Sequence, residues 1–84
     1  MKSQMFSIYD QKAKFFSTPF YAPNLPVAAR SIAKAMSDPA SDLGTFSNDY
    51  TLYCVGSFDD QTGVLEQSTP ENLGPIIQFK LEDK

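Results

Sequence analysis

Lysines and aromatic rings are interleaved near the start of this chain. Lys12, Lys14, Phe15, Phe20 and Tyr21 fall in one short stretch, and Arg30 and Lys34 follow one helical turn apart. Proteins that hold single-stranded nucleic acid set cations along the phosphates and rings against the bases, each stacked base contributing about 1–3 kcal/mol. These seven residues, with Phe16 beside them, form the candidate nucleic-acid-binding set. A core role competes for the rings, because a chain of 84 residues must place several of its seven Phe side chains inside.

Other residue types offer less chemistry. Histidine is absent, which removes the commonest general base, the commonest metal ligand and every Ser-His or Cys-His pair. Cys54 is the single cysteine, so neither an internal disulfide nor a thiolate metal cluster can form. It sits in the middle of an apolar strand pattern, where a cysteine serves as a small core residue. Asp59-Asp60-Gln61-Thr62-Gly63 superficially resembles a calcium loop but lacks the alternating oxygen ligands and the terminal Glu, and its composition is that of a turn. The reading is a protein that is not an enzyme, with no catalytic residues, no metal site and no cofactor.

The charges are divided unevenly. Residues 1–37 hold Lys2, Lys12, Lys14, Arg30 and Lys34 against Asp10 alone, a balance of +4; residues 38–84 hold two lysines against nine acids, a balance of −7, and the halves combine to the formal −3. A basic half suits a polyanion, whereas the overall pI of about 4.6 opposes one at long range. Binding to DNA should therefore be weak, sensitive to salt and confined to one face. The alternative is a protein-interaction module, a homo-oligomer with a dimer favoured, whose charged surfaces meet one another or a partner protein.

The elements that must position these groups follow from apolar spacing. The length predicts one domain, residues 1–84. Met5 to Tyr9 and Ala13 to Ser17 read as a hairpin around Asp10-Gln11-Lys12, with Phe20-Tyr21-Ala22 an edge or irregular exit between Pro19 and Pro23. Asn24 caps a helix that carries Leu25, Ala28, Ile32, Ala35 and Met36 on one face and ends near Ser37, before Pro39. Arg30 and Lys34 lie off that face. Residues 38–49 have loop composition. Tyr50 to Phe58 is the best strand, with Leu52, Cys54 and Phe58 on one face and Thr51, Tyr53 and Val55 on the other. A turn at 59–63 returns a short strand, Val64-Leu65-Glu66, and Ile76 to Leu81 alternates as a last strand with Ile77, Phe79 and Leu81 inward. The predicted class is α+β: a small antiparallel sheet of 4–5 strands in the order ββαββ(β), with one helix packed on one face. No segment approaches the ~20 apolar residues that span a bilayer, and the opening MKSQMFSIYD has no apolar run of signal-peptide length, so a soluble protein with no membrane partner is expected.

The order of the segments is familiar. Phe6-Ser7-Ile8-Tyr9-Asp10-Gln11-Lys12-Ala13, Pro19-Phe20-Tyr21, the Ala28-Ala29-Arg30-Ser31 helix, Asp49-Tyr50-Thr51-Leu52-Tyr53 through Gly56-Ser57-Phe58-Asp59-Asp60-Gln61-Thr62-Gly63, and Leu73-Gly74 before Gln78-Phe79-Lys80 resemble the small non-structural protein of gokushovirus-type microviruses, phages with single-stranded DNA genomes. The resemblance implies an accessory protein in the cytoplasm of the infected bacterial host, acting in genome replication or packaging. Single-stranded DNA is the partner it implies, or else the phage replication protein or a host factor. It implies no catalytic residues.

Overall fold

A computed structural model describes residues 2–79. The elements run β1 (Lys2–Asp10), β2 (Phe15–Phe16), β3 (Phe20–Ala22), α1 (Leu25–Met36), a one-turn α2 (Asp42–Thr45), β4 (Tyr50–Asp59) and β5 (Leu65–Pro75). Short 3-10 turns occupy Ser47–Asp49 and Ile76–Phe79. All pairings are antiparallel: β1 is flanked by β4 on one side and by β2 and β3 on the other, and β5 lies outside β4. The architecture is α+β, a small antiparallel sheet with one main helix on one face.

That helix forms for local reasons. Asn24 Oδ1 accepts from the Val27 amide at 3.0 Å, and Pro26 stands in the first turn, where no N–H is missed. Its C-terminus is closed by the Ser37 hydroxyl donating to the Lys34 carbonyl at 2.7 Å, while the Ser41 hydroxyl donates to Ala35 O. The inward face carries Ala28, Ile32, Ala33 and Met36, and it packs on Phe6 and Ile8 of β1, Leu52 of β4 and Ile76. Phe6, Leu52 and Ile76 are completely buried, each contributing about 1.5–3 kcal/mol by leaving water.

Both hairpin turns are built on an aspartate. Asp10 Oδ1 accepts from the amides of Lys12 and Ala13, and Lys14 N–H closes the turn onto Asp10 O at 2.7 Å. Asp59 Oδ1 likewise accepts from Gln61 and Thr62, and Gly63 N–H closes onto Asp59 O. Those amides, Gln61 first, hold the Asp59 carboxyl below its usual range. The closing residue is left-handed in both turns: Gly63 at φ 75° bears no strain, whereas Lys14 at φ 64° carries a Cβ there.

Several expected boundaries move. The strand expected at Ala13 to Ser17 is confined to Phe15–Phe16, because the left-handed Lys14 still belongs to the turn. The edge then breaks at Ser17, whose hydroxyl accepts from Ile8 N–H and whose carbonyl accepts from the Ser7 hydroxyl, and resumes at Phe20. Residues 38–49 contain α2, capped by the Ser41 hydroxyl on Gly44 N–H, rather than a plain loop. The return strand after 63 is not short: Leu65–Pro75 pairs along β4, with residues 68–70 bulging opposite Val55. The last strand expected at Ile76 to Leu81 is instead a 3-10 turn through Phe79 that buries Ile76 fully and Ile77 only in part; Leu81 lies outside the described residues. At Val55 the register shifts, so Phe58 joins the face of Tyr53 and not that of Leu52. Gly56 follows the bulge because a Cβ there would collide with the Glu66 carbonyl.

Candidate nucleic-acid interface

One helix covers one face of a sheet. Residues paired across antiparallel strands share a face, so the register assigns the other side. Phe6, paired to Cys54 and Phe20, and Ile8, paired to Leu52, lie toward the helix; Tyr9, paired to Thr51 and Phe16, Ser7 to Tyr53, and Met5 to Gly56 and Tyr21 lie on the far side. That far face carries two groups of rings. Tyr9, Phe16 and Tyr53 meet with centroids 4.8, 5.2 and 6.2 Å apart, and Tyr21 meets Phe58 at 5.8 Å. The rows of Tyr9 and Met5 are separated by about 13 Å along β1, four residues at strand rise. Between them Ser7 is buried, its hydroxyl bonded to Ser17 O.

The face is apolar and open. Phe16 is 43%, Tyr21 53% and Leu65 60% exposed, and Leu65 pairs with Phe58 in the same row. Among the paired residues of the sheet, every carboxylate (Asp10, Asp59, Glu66 and Glu71) falls in a row of the helix-covered side. Among its paired residues the sheet therefore sorts charge: acids in the rows of the helix-covered side, none in the rows of the rings.

The seven residues expected to bind nucleic acid do not form one surface. Of them only Tyr21 stands on the ring face. Phe15 is paired with Asp10 on the opposite side, and Phe20 packs against the core with its ring 5.9 Å from Phe6. Arg30 and Lys34 are exposed on α1, with the helix layer between them and the rings. Lys12, but not Lys14, borders a hollow lined by Asp10, Asp42 and Asp49. Lys2 is paired with Glu66 at 2.9 Å, a bond that raises its pKa.

Tyr9, Tyr53 and Phe58 complete the face and were not in the expected set. Their signal was present: a tyrosine follows Ile8 and another follows Leu52, each at an outward position of a strand whose second face no other predicted element could cover. The rings stabilise one another in tilted and edge-to-face pairs while keeping exposed surface, the residue chemistry that suits stacking of flat π-systems. Among the described residues no group of side chains could hold a metal ion, and no helix is long and apolar enough to cross a membrane.

Fold and face together define a small α+β domain that lays a helix on one side of its sheet and leaves an aromatic side bare. The chain belongs to the Phage ORF5 protein family, whose sequence profile matches residues 3–79, and is thus a phage protein. Comparison with curated proteins gave no match, nor did comparison with solved structures.

Proposed function

We propose that this phage protein is a non-structural accessory protein of a microvirus of the gokushovirus type, working in the host cytoplasm on single-stranded DNA during genome replication or packaging. The observation that carries the reading is the exposed ring face, Tyr9, Phe16 and Tyr53 with Tyr21 and Phe58, in rows free of carboxylates. Bases stack on such rings without sequence preference, and the helix side, which holds the acids, turns away from the phosphates. The binding is weak because few cations flank the rings. Fluorescence anisotropy with a labelled oligothymidine tests it. Saturable binding at low salt that Tyr53→Ala and Tyr21→Ala each weaken supports the reading, and its absence at high micromolar protein overturns it.

A second reading rests on the neutrality of the same face: a second copy could cover it, giving a homodimer. Both sheet edges are poor alternatives for assembly, one broken beside Pro19 and the other bulged at Pro70. Light scattering decides between the readings, since a dimer that persists in saturating oligothymidine favours the second.

A further inference from the structure

On the helix-covered side, between the β1–β2 turn and the segment from α2 to β4, lie two hollows of about 450 and 340 Å³. They share Asp10, Asp42 and Tyr50 and so form one groove. Phe46, 50% exposed, borders one part, and Phe15, 62% exposed, borders the other with Leu43 beneath. Three carboxylates, Asp10, Asp42 and Asp49, line it against one described cation, Lys12. The same three acids, after burial, raise the pKa of the Tyr50 hydroxyl, as a shared negative potential requires.

We propose that this groove docks a basic, amphipathic peptide segment of a partner protein, one in which Lys or Arg alternates with aliphatic side chains. The exposed Phe15 and Phe46 rings call for apolar side chains, and the carboxylates call for cations beside them. Aliphatic amines alone would leave the rings uncovered. The groove lies on the opposite side of the sheet from the ring face, so the inference stands whether or not the rings bind DNA. The protein would then join a nucleic-acid surface to a protein surface through one sheet.

The test titrates an acetylated, amidated peptide Arg-Leu-Lys-Leu-Arg into isotopically labelled protein, with Glu-Leu-Glu-Leu-Glu and spermidine as controls. Expected are amide shifts gathered at Asp10, Asp42, Phe46, Asp49 and Tyr50, with none from the acidic peptide. Phe46→Ser and the double variant Asp42→Asn/Asp49→Asn should each weaken binding at least fivefold, in proteins whose other amide signals are unmoved. Three results overturn the proposal: shifts equally strong at Asp59, Glu66 and Glu71, spermidine binding as tight as the peptide, or variants that bind as the parent does.

Discussion

The ring of Phe16 stands edge-on to the ring of Tyr53, centroids 5.2 Å apart and planes at 77°, although they belong to strands on opposite sides of β1. Tyr9 on β1 lies between them and touches both. The trio therefore holds β2 against the sheet and at the same time forms half of the bare face. Edge-to-face pairs contribute about 0.5–1.5 kcal/mol beyond area burial, so these rings are both structural and available.

Ring removal should act on binding more than on folding. Tyr53→Ala and Phe16→Ala should each cost about 1–3 kcal/mol in oligothymidine affinity, measured by anisotropy at a temperature where circular dichroism shows the variant folded. The chain has no Trp and four Tyr, three of which (Tyr9, Tyr21 and Tyr53) stand on this face. Stacking should consequently quench tyrosine emission, and Tyr50→Phe should leave the quenched amplitude intact.

Salt should weaken binding, but less steeply than the charge of the basic half suggests. Each phosphate neutralised contributes a slope of about −0.7 in log affinity against log salt for single strands; no Lys or Arg is paired into the ring rows, and Lys14, two residues before Phe16, is the cation expected to act, so the slope should lie near −1. Lys14→Glu should weaken binding several-fold, whereas Arg30→Glu/Lys34→Glu, changed on the helix side, should leave it within twofold. A slope of −4 would mean that the phosphates run over the helix instead.

The two turns make a matched experiment. Relieving the left-handed Lys14 by Lys14→Gly should raise stability by about 0.5–1 kcal/mol, strain relief outweighing the added freedom of the unfolded chain. Gly63→Ala imposes the strain that the other turn already bears and should cost about 1 kcal/mol. Thermal unfolding reads both, since 1 kcal/mol shifts the midpoint by roughly 4–8 °C in a domain of this size.

Alkaline pH should loosen the fold through Tyr50. Its hydroxyl pKa is raised above the usual 10.0, by burial first and then by Asp10, Asp42 and Asp49. A group whose folded pKa is raised contributes fully below the unfolded value and is lost as pH rises through the folded one. Urea midpoints should thus fall above about pH 10, and Tyr50→Phe should flatten that fall.

Truncation at the core should be far more severe. Leu52→Ala removes a fully buried side chain beneath α1 and should cost about 2–5 kcal/mol, a large share of the stability of so small a domain. Urea denaturation monitored by circular dichroism measures it.

The helix and β4 were legible in the residues because their signals are local: Asn24 caps, the apolar positions recur at helical spacing, and Tyr50 to Phe58 is apolar on both faces. What escaped depended on partners. Pro70 and Gly74 are residue types of loops, yet they lie within β5, and an outer strand tolerates proline because nothing beyond it needs the N–H. Ile76 to Phe79 alternates like a strand, but β5 already occupies the free side of β4, so the segment curls and drives Ile76 under the helix. The single extra residue at Val55 reverses the face of Phe58, which no alternation rule foretells. The site shared this fate. Residue types singled out rings and cations, but only the register shows which rings stand together and that Phe15, Phe20, Arg30 and Lys34 stand elsewhere.

The sorting of carboxylates to one side of the sheet has a consequence at larger scale. A strand of nucleic acid held along the bare face would wear the acids as an outer coat. Coated strands would behave as like-charged colloidal rods, kept apart over about 8–10 Å at physiological ionic strength and free to bundle only when salt compresses that distance.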